Sequence, residues 1–195
     1  ASVQVALRTG ARGPNFGIAS ACATGADSIG MAYDAIRHGR ALAMITGGVD
    51  ATLTPISLAA YDRIGALSHR NDEPALASRP FDGERDGFVA AEGGALLILE
   101  DLQHALRRGA EPLAEVISYA STSDAIHLTA PDKEGEGAAT CMKLACDLGE
   151  LSPMEIEYVN AHGTSTRLGD VAETIALKQV FGDYAYYLPI SSTKS

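Results

Sequence analysis

Three residues that can form a covalent acyl-transfer site are spread along this chain of 195 residues. Cys22 stands among small residues in Ser-Ala-Cys-Ala-Thr-Gly, His162 lies in Asn-Ala-His-Gly-Thr-Ser-Thr, and Lys194 lies in Ser-Ser-Thr-Lys-Ser. A thiol can attack an acyl carbon, and an imidazole can donate a hydrogen bond or relay a proton. Each residue taken singly has a simpler explanation, since free cysteines are often packing residues and histidines and lysines are common in loops. Their combination predicts an enzyme.

The sequence after Cys22 predicts a helix over residues 26–39. Apolar residues recur at three- and four-residue spacing from Ile29 to Ile36, and Gly39 follows as a C-terminal stop. Cys22 would then lie near the first turn, where unpaired N–H groups and the helix dipole favour a negative charge. We therefore expect the reactive thiolate to be favoured at Cys22 and its backbone N–H to help hold an oxyanion.

The residues around His162 predict a binding loop after a strand. A short strand is expected at residues 157–160, and the glycine that follows His162 suits a turn at the edge of a cleft. Thr164 and Thr166 place hydroxyl groups at alternate positions, which suits an amide-rich substrate arm.

Lys194 follows a predicted strand at residues 188–192. Asp170 and Glu173 lie in the first turn of another predicted helix, where acidic side chains complement the helix dipole. These carboxylates could also anchor Lys194 by a charge pair. A lysine in this position is otherwise a solvated surface residue.

Strands alternate with helices along the chain, which predicts an α/β fold. The expected elements are buried strands at 41–48 and 95–99, a strand at 114–121, and helices at 101–108 and 135–148. The last helix contains Cys141 and Cys146, which we expect to be packing residues.

Composition excludes several classes of function. The hydrophobic content of 46% fits a globular domain, and the net charge of −10 argues against nucleic-acid binding. No apolar run reaches membrane-spanning length, and no secretory leader is visible. The three irregularly spaced cysteines indicate neither a disulfide framework nor a metal site. We expect a cytoplasmic protein.

Together these motifs resemble the β-ketoacyl-[acyl-carrier-protein] synthases, the condensing enzymes of fatty-acid synthesis, and most closely their bacterial type II members. Further signatures support the resemblance, which runs from end to end of the chain: Ser-Arg-Pro-Phe-Asp at 78–82, Arg-Asp-Gly-Phe-Val at 85–89, and Thr-Ser-Asp-Ala at 122–125 with His127.

The resemblance implies a thiolase-like fold with α-β-α-β-α layers, incomplete in this chain. Residues 1–110 would form the later part of the N-terminal half and carry Cys22. Residues 111–195 would form the early part of the C-terminal half and carry His162 and Lys194. Homodimerisation is also implied, with the strand at 41–49 as the expected dimer edge.

The resemblance further implies an acyltransferase whose catalytic residues are Cys22, His162 and Lys194. Glu173 and Asp170 would support them. The pantetheine arm of the substrate would bind near Thr164 and Thr166. No metal or organic cofactor is expected, because both substrates are carried on the phosphopantetheine of acyl-carrier protein. This partner would dock on a local basic patch, for which Arg63 and Arg70 are the candidates.

The chain departs from the family pattern in several places. A second catalytic histidine beyond the lysine motif, a glycine-rich loop and an N-terminal stretch are missing, so we expect the middle portion of a longer protein. Ala91 stands where a glycine is common, and Ile126 where an aromatic residue is often found.

Two alternatives stay open. A polyketide-type ketosynthase shares the same plan, although its cysteine is usually followed by serines, whereas residues 23–25 are Ala-Thr-Gly. The chain could also be a non-catalytic fragment or partner subunit, although such partners usually lack the cysteine.

Overall fold

The computed structural model describes residues 2–195. In chain order, the helices and strands are α1 (Ser2–Thr9), α2 (Thr24–Arg37), β1 (Ala43–Asp50), α3 (Pro55–Arg63), β2 (Gly93–Glu100), α4 (Leu102–Arg107), α5 (Glu136–Leu148), β3 (Val159–Asn160), α6 (Arg167–Phe181) and β4 (Ile190–Ser191). Short 3-10 turns lie at Ala21–Ala23, Pro74–Leu76, Pro153–Glu155 and Gly182–Tyr186. The predicted alternation of helices and strands is confirmed, with helix ends within a few residues of those expected.

The first of two compact units contains the residues up to Ala51 and those of Glu92–Tyr119. In it β1 and β2 form an antiparallel pair, and α2 packs against them with Ala32 and Ala35 buried. Gly30 of α2 lies directly against the Tyr119 ring, where a Cβ atom would have no room.

Both strands of this unit are present as predicted, but the prediction that they are buried is wrong. Val49 is 69% exposed and Ile98 is 71% exposed, and on β1 only Thr46 is buried. Within the described residues the sheet has only these two strands, so α2 can cover just part of it. Burial depends on covering elements that the apolar sequence of a strand does not specify.

The strand predicted at residues 114–121 is also wrong, because no strand is found there. Hydrogen bonds from tyrosine side chains hold this segment in place of the backbone hydrogen bonds of a β-sheet. The Tyr33 hydroxyl donates to the Ile117 carbonyl at 2.8 Å, and the Tyr119 hydroxyl donates to Asp27 Oδ1 at 2.6 Å. An extended, apolar segment needs a neighbouring strand to become part of a sheet.

The second unit contains Thr52–Ala91 and Ala120–Ser195. Helices α5 and α6 pack together, and the apolar core centres on Leu177, Phe181 and Leu188. Strands β3 and β4 pair in parallel, with Val159 opposite Ile190 and Asn160 opposite Ser191. Parallel strands end at the same edge of a sheet, so the two loops that follow them begin side by side.

No helix in residues 2–195 combines the length and the apolar character that crossing a membrane requires.

Candidate functional site

Cys22 lies in a tight turn that leads directly into α2. It is solvent-exposed within the 3-10 turn Ala21–Ala23, and α2 begins two residues later at Thr24. The Thr24 hydroxyl accepts a hydrogen bond from the Ser20 N–H at 2.9 Å, which ties the turn to the first helical residue. Ala21 has a φ of 50°, in the left-handed region that a non-glycine residue rarely adopts. The predicted position of Cys22 at a helix start is therefore confirmed.

The two other cysteines are packing residues, as predicted. The Cys141 thiol is half-buried and donates to the Ala120 carbonyl at 3.3 Å. Cys146 is buried in α5. Burial is the larger cause that raises the pKa of its thiol, and the negative charge of Asp147 is the smaller one. Burial disfavours the thiolate, so Cys146 is the less reactive thiol of the pair.

Glu173 holds the loop that carries His162 through two hydrogen bonds to its backbone. One carboxylate oxygen of Glu173 accepts the His162 N–H at 2.7 Å, and the other accepts the Gly163 N–H at 2.8 Å. Hydrogen bonds to an ionised carboxylate are among the stronger ones in proteins. Glu173 therefore fixes the backbone of the histidine loop, a contact that the sequence did not predict.

The surroundings of His162 lower its pKa and so favour the neutral imidazole. Part of the side chain reaches solvent, but loss of hydration lowers the pKa of His162, and the positive charge of Lys194 lowers it further. The charges of Glu173 and Asp170 act in the opposite direction and are weaker. A neutral imidazole can donate a hydrogen bond from one ring nitrogen and accept one at the other.

Lys194 lies on an exposed turn after β4. The Ser78 hydroxyl donates to the Lys194 carbonyl at 3.0 Å, and the Ser195 hydroxyl donates back to the Ser78 carbonyl at 3.2 Å. The charge pair predicted between Lys194 and Asp170 or Glu173 is not formed, since no ion pair within residues 2–195 includes Lys194. Both carboxylates are occupied by other groups.

Asp170 is instead the buried partner of the segment at residues 78–89. Its side chain is 2% exposed, and one carboxylate oxygen accepts the Phe81 N–H at 2.7 Å and lies 3.4 Å from Arg85 Nε. An ionised carboxylate that is taken out of water needs such partners. The role of Asp170 is thus to join this segment to α6.

Arg85 completes this connection and was not identified from the sequence as a site residue. Its guanidinium donates to the carbonyls of Asp82, Thr166 and Arg167 at 2.7 to 3.0 Å. The side chain is only 13% exposed. The signature Arg-Asp-Gly-Phe-Val contains Arg85, but two of the three carbonyls that it bonds belong to residues more than 80 positions away.

Thr164 and Thr166 form one polar pair on the loop after His162. Their hydroxyl oxygens lie 3.0 Å apart, and both residues are half-buried. Between them, the fully buried Ser165 accepts the Arg79 N–H at 3.0 Å. Alternate residues of the loop therefore point to different environments, with the threonine hydroxyls on one side and the anchoring serine on the other.

A further cleft of about 420 Å³ lies along residues 122–126 and the start of α5. Asp124, Asp132 and Glu136 line it. These carboxylates bind the surrounding backbone: Asp124 accepts the Asp132 N–H at 2.9 Å, and Asp132 accepts the Glu136 N–H at 3.0 Å. No group of three His, Cys, Asp or Glu side chains in the described part of the chain could hold a metal ion.

The predicted site residues are thus distributed over the two units. Cys22 belongs to the first unit. The second unit contains the other predicted site residues and gathers their backbone segments at the ends of β3 and β4 and the start of α6: His162, Lys194, Glu173, Asp170, Thr164 and Thr166.

Comparison with known proteins gives matches to two family models. The N-terminal domain of β-ketoacyl synthase matches residues 1–105, and the C-terminal domain matches residues 113–195. The chain is 49% identical over 195 residues to a 3-oxoacyl-[acyl-carrier-protein] synthase 2 from Synechocystis sp. and 47% identical to one from Coxiella burnetii. Each alignment covers all of this chain and 47% of the relative, so the chain spans about half the length of the curated relatives it matches.

Solved structures agree with these relatives. A type II polyketide ketosynthase, solved with its acyl-carrier protein, superposes with a TM-score of 0.97 at 41% identity over 99% of this chain and 48% of its own. A β-ketoacyl synthase from Burkholderia phymatum superposes with a TM-score of 0.92 at 43% identity, covering 98% of this chain and 46% of its own. The resemblance inferred from the motifs is therefore confirmed: the chain belongs to the β-ketoacyl synthase family and has its thiolase-like α/β fold.

Proposed function

We propose that the complete protein is an acyltransferase that condenses an acyl thioester with malonyl-acyl-carrier protein to give 3-oxoacyl-acyl-carrier protein in fatty-acid elongation. The observation that carries this proposal is an exposed cysteine at the start of α2 in a chain that is 49% identical throughout to a 3-oxoacyl-[acyl-carrier-protein] synthase 2. Attack on a thioester requires an accessible sulfur, and amide groups at a helix start can stabilise both thiolate and oxyanion.

In the first half of the reaction, the Cys22 sulfur attacks the carbonyl carbon of the acyl thioester. A new carbon–sulfur bond forms to Cys22, the bond to the carrier breaks, and the carrier thiolate takes up the proton that Cys22 lost. The acyl group is then held as a covalent thioester. Dividing the transfer in this way replaces one difficult step by two easier ones.

In the second half, malonyl-carrier protein loses its carboxylate as CO₂, and the electron pair of the broken bond moves into an enolate. Neutral His162 donates a hydrogen bond to the thioester oxygen where this charge develops. The enolate carbon then attacks the acyl carbonyl, and the Cys22 sulfur leaves and is reprotonated. The product is two carbons longer and carries a 3-oxo group.

The other predicted residues assist these steps. The positive charge of Lys194 favours the neutral imidazole of His162, and Glu173 fixes the loop on which that imidazole stands. The paired hydroxyls of Thr164 and Thr166 are the proposed contacts for the pantetheine arm. The scheme needs no metal or organic cofactor, because malonate supplies its own leaving group and Cys22 carries the acyl chain.

The proposed partners are acyl-carrier protein and a second copy of the chain. The structural neighbour with a TM-score of 0.97 was solved as a ketosynthase in complex with its acyl-carrier protein, which supports the first. Exposed apolar residues on β1 and β2, among them Val49 and Ile98, support an interface on that sheet. The cytoplasmic location belongs to the same proposal and fits three free cysteines.

Replacement of the nucleophile tests the proposal. In the complete protein, Cys22→Ala is expected to reduce condensation by more than about 10³-fold, because the covalent intermediate cannot form. The matched control is Cys141→Ala, which removes a half-buried thiol and is expected to leave condensation near the wild-type rate. Formation of 3-oxoacyl product is measured by mass spectrometry, and normal condensation by Cys22→Ala would refute the assignment.

A polyketide-type ketosynthase is the second candidate, favoured by the same structural neighbour. Incubation of the complete protein with acyl- and malonyl-carrier protein, without a reductase, distinguishes the two. Fatty-acid elongation predicts a product extended by one two-carbon unit, whereas a polyketide synthase predicts products extended by several units that all retain their oxo groups.

A further inference from the structure

The His162 loop (residues 161–166) and the Lys194 loop (residues 192–195) start from neighbouring strands. Strand β3 leads to His162 and β4 leads to Lys194, and the two strands are parallel. The last ladder contact is the Ala161 N–H, which donates to the Ser191 carbonyl at 2.8 Å. Beyond this point the backbones of the two loops no longer pair, so another group must hold the loops together.

Two side chains do so: Asn160 Oδ1 accepts the Thr193 N–H at 3.3 Å, and Ser192 bonds both loops. The Ser192 hydroxyl donates to the Gly163 carbonyl at 2.9 Å, with the His162 carbonyl at 3.3 Å, and it accepts the Lys194 N–H at 3.2 Å. The loops also touch sterically, because a Cβ atom on Gly163 would lie 2.6 Å from the Cβ of Ser192. A single half-buried hydroxyl therefore bonds the backbone of both loops.

We propose that Ser192 is a positioning residue of the condensing site, whose hydroxyl holds the Lys194 loop against the His162 loop. The inference rests on the proposed function of His162. Ser192 bonds only backbone groups and is given no contact with a reacting atom in the proposed mechanism, so its effect passes through His162 and Lys194.

The charged groups that act on His162 make the effect of Ser192 specific. Lys194 lowers the pKa of His162, whereas Glu173 and Asp170 raise it. The two carboxylates belong to α6 and are fixed by the loop amides, Phe81 and Arg85, without any contact to Ser192. Loss of the Ser192 hydroxyl therefore loosens the cation and leaves the anions in place, and the pKa of His162 should rise.

Adjacent serines provide a matched pair of variants for the test. Ser192→Ala removes the hydroxyl that joins the loops, and Ser191→Ala removes a hydroxyl whose hydrogen bond within residues 2–195 is with the Tyr158 hydroxyl, at 2.6 Å. In the complete protein with isotopically labelled histidine, NMR titration should give a higher midpoint for His162 in Ser192→Ala and the wild-type midpoint in Ser191→Ala. Equal unfolding midpoints of the two variants exclude a general loss of structure.

Decarboxylation of malonyl-carrier protein supplies a second readout. Because the proposed mechanism uses neutral His162, the acid limb of the rate profile should move to higher pH in Ser192→Ala, with a roughly two- to five-fold loss at pH 6 that recovers at pH 8. Ser191→Ala should follow the wild-type profile.

Two outcomes overturn the inference: an unchanged His162 midpoint in Ser192→Ala, or an equal shift in Ser191→Ala. The proposed function fails on a different observation, namely a wild-type complete protein that forms no 3-oxoacyl product. An active enzyme with an unmoved His162 midpoint refutes the role of Ser192 alone.

Discussion

Unusual backbone conformations occur in the same segments as the sequence motifs. Among residues 2–195, five non-glycine residues have a φ in the left-handed region, and four of them are Ala21, Phe81, Ala125 and Ser165. Each of these four lies in a motif segment identified from the sequence. Ala21 precedes Cys22, Phe81 bonds Asp170, Ala125 lies beside the acidic cleft, and Ser165 lies between the paired threonines. Such conformations cost free energy and persist where the surrounding structure determines them, which is common at functional sites.

The three thiols should differ strongly in reactivity. Cys22 is exposed, Cys141 is half-buried, and Cys146 is buried with a raised pKa. We expect iodoacetamide at neutral pH to modify Cys22 at least about ten-fold faster than either other cysteine, because alkylation needs an accessible thiolate. Mass spectrometry of peptides from the complete native protein measures the order. Preferential labelling of Cys141 or Cys146 would contradict it and would favour a non-catalytic partner subunit.

Removal of the lysine charge should change the titration of His162. In Lys194→Met we expect the pKa of His162 to rise toward its ordinary value, because the cation that disfavours the imidazolium is lost while burial remains. NMR titration of labelled histidine measures this. Lys178→Met is the control, because Lys178 is exposed, its Nζ lies 5.1 Å from the centre of the Tyr186 ring, and its loss should leave the pKa of His162 unchanged.

The sign of the accompanying stability effect follows from linkage. The folded-state pKa of His162 lies below that of the unfolded chain, about 6.5, so the unfolded chain binds the proton first as the pH falls. The wild-type protein therefore loses stability as the pH drops below about 6.5. Lys194→Met should lose less over the same range, and an unchanged pH dependence would argue against the charge interaction.

At the scale of elements, the short parallel pair of β3 and β4 positions the loops that carry His162 and Lys194. Each strand is only two residues long, yet together they bring the beginnings of the histidine and lysine loops to one edge. Helix α6 also holds these segments: Glu173 accepts hydrogen bonds from the histidine loop, and Asp170 accepts one from the Phe81 N–H. The loops of this unit are thus fixed by polar contacts between elements.

Gly163 is the position where this arrangement should tolerate a side chain least. Its φ is +39°, and a Cβ atom would lie 2.6 Å from Ser192 Cβ and 3.1 Å from the Phe81 ring. We expect Gly163→Ala to lower the free energy of unfolding by about 2 to 4 kcal/mol, from backbone strain and overpacking together. Denaturant unfolding of the complete protein measures the change.

Gly65 is the matched control for this prediction. Its φ is +68°, and a Cβ atom there would meet nothing within 4 Å. Gly65→Ala should therefore cost only the backbone term, about 1 kcal/mol. Equal costs for the two substitutions would show that the close contact between Gly163 and Ser192 contributes nothing.

At the scale of the whole molecule, the charge of −10 does not favour an acidic partner, so a carrier protein would have to meet a local cation. Arg63 is exposed at the last residue of α3, whereas the Arg70 guanidinium already donates to the Glu84 carbonyl at 3.1 Å. Arg63 is therefore the better of the two candidates named from the sequence.

Reversal of this charge tests the docking surface. We expect Arg63→Glu to weaken binding of acyl-carrier protein roughly two- to five-fold at low salt, with the difference reduced as salt screens the contact. Titration of the complete protein with its carrier measures the affinity. Arg107→Glu changes the net charge equally at an exposed position on α4, so equal weakening by both variants would point to a general charge effect and reject Arg63 as a contact.

The sequence by itself determined the family, the alternation of helices and strands, and the three reactive residue types. It also determined most helix ends, as in α5, where the predicted helix at 135–148 became Glu136–Leu148 with Gly149 after it. These features depend on periodicity, capping and glycine, which act between residues close in sequence.

Only the tertiary structure decided which groups meet. Asp170 pairs with Arg85 rather than with Lys194, residues 114–121 form no strand, and β2 is largely exposed while half of β1 is exposed. Each of these outcomes depends on a partner far away in the chain, or on the lack of one within residues 2–195. A local sequence pattern does not show which distant residues will come into contact. Ser192 is the clearest case, because nothing in Ser-Ser-Thr-Lys-Ser indicates which of the two serines reaches the histidine loop until β3 and β4 are paired.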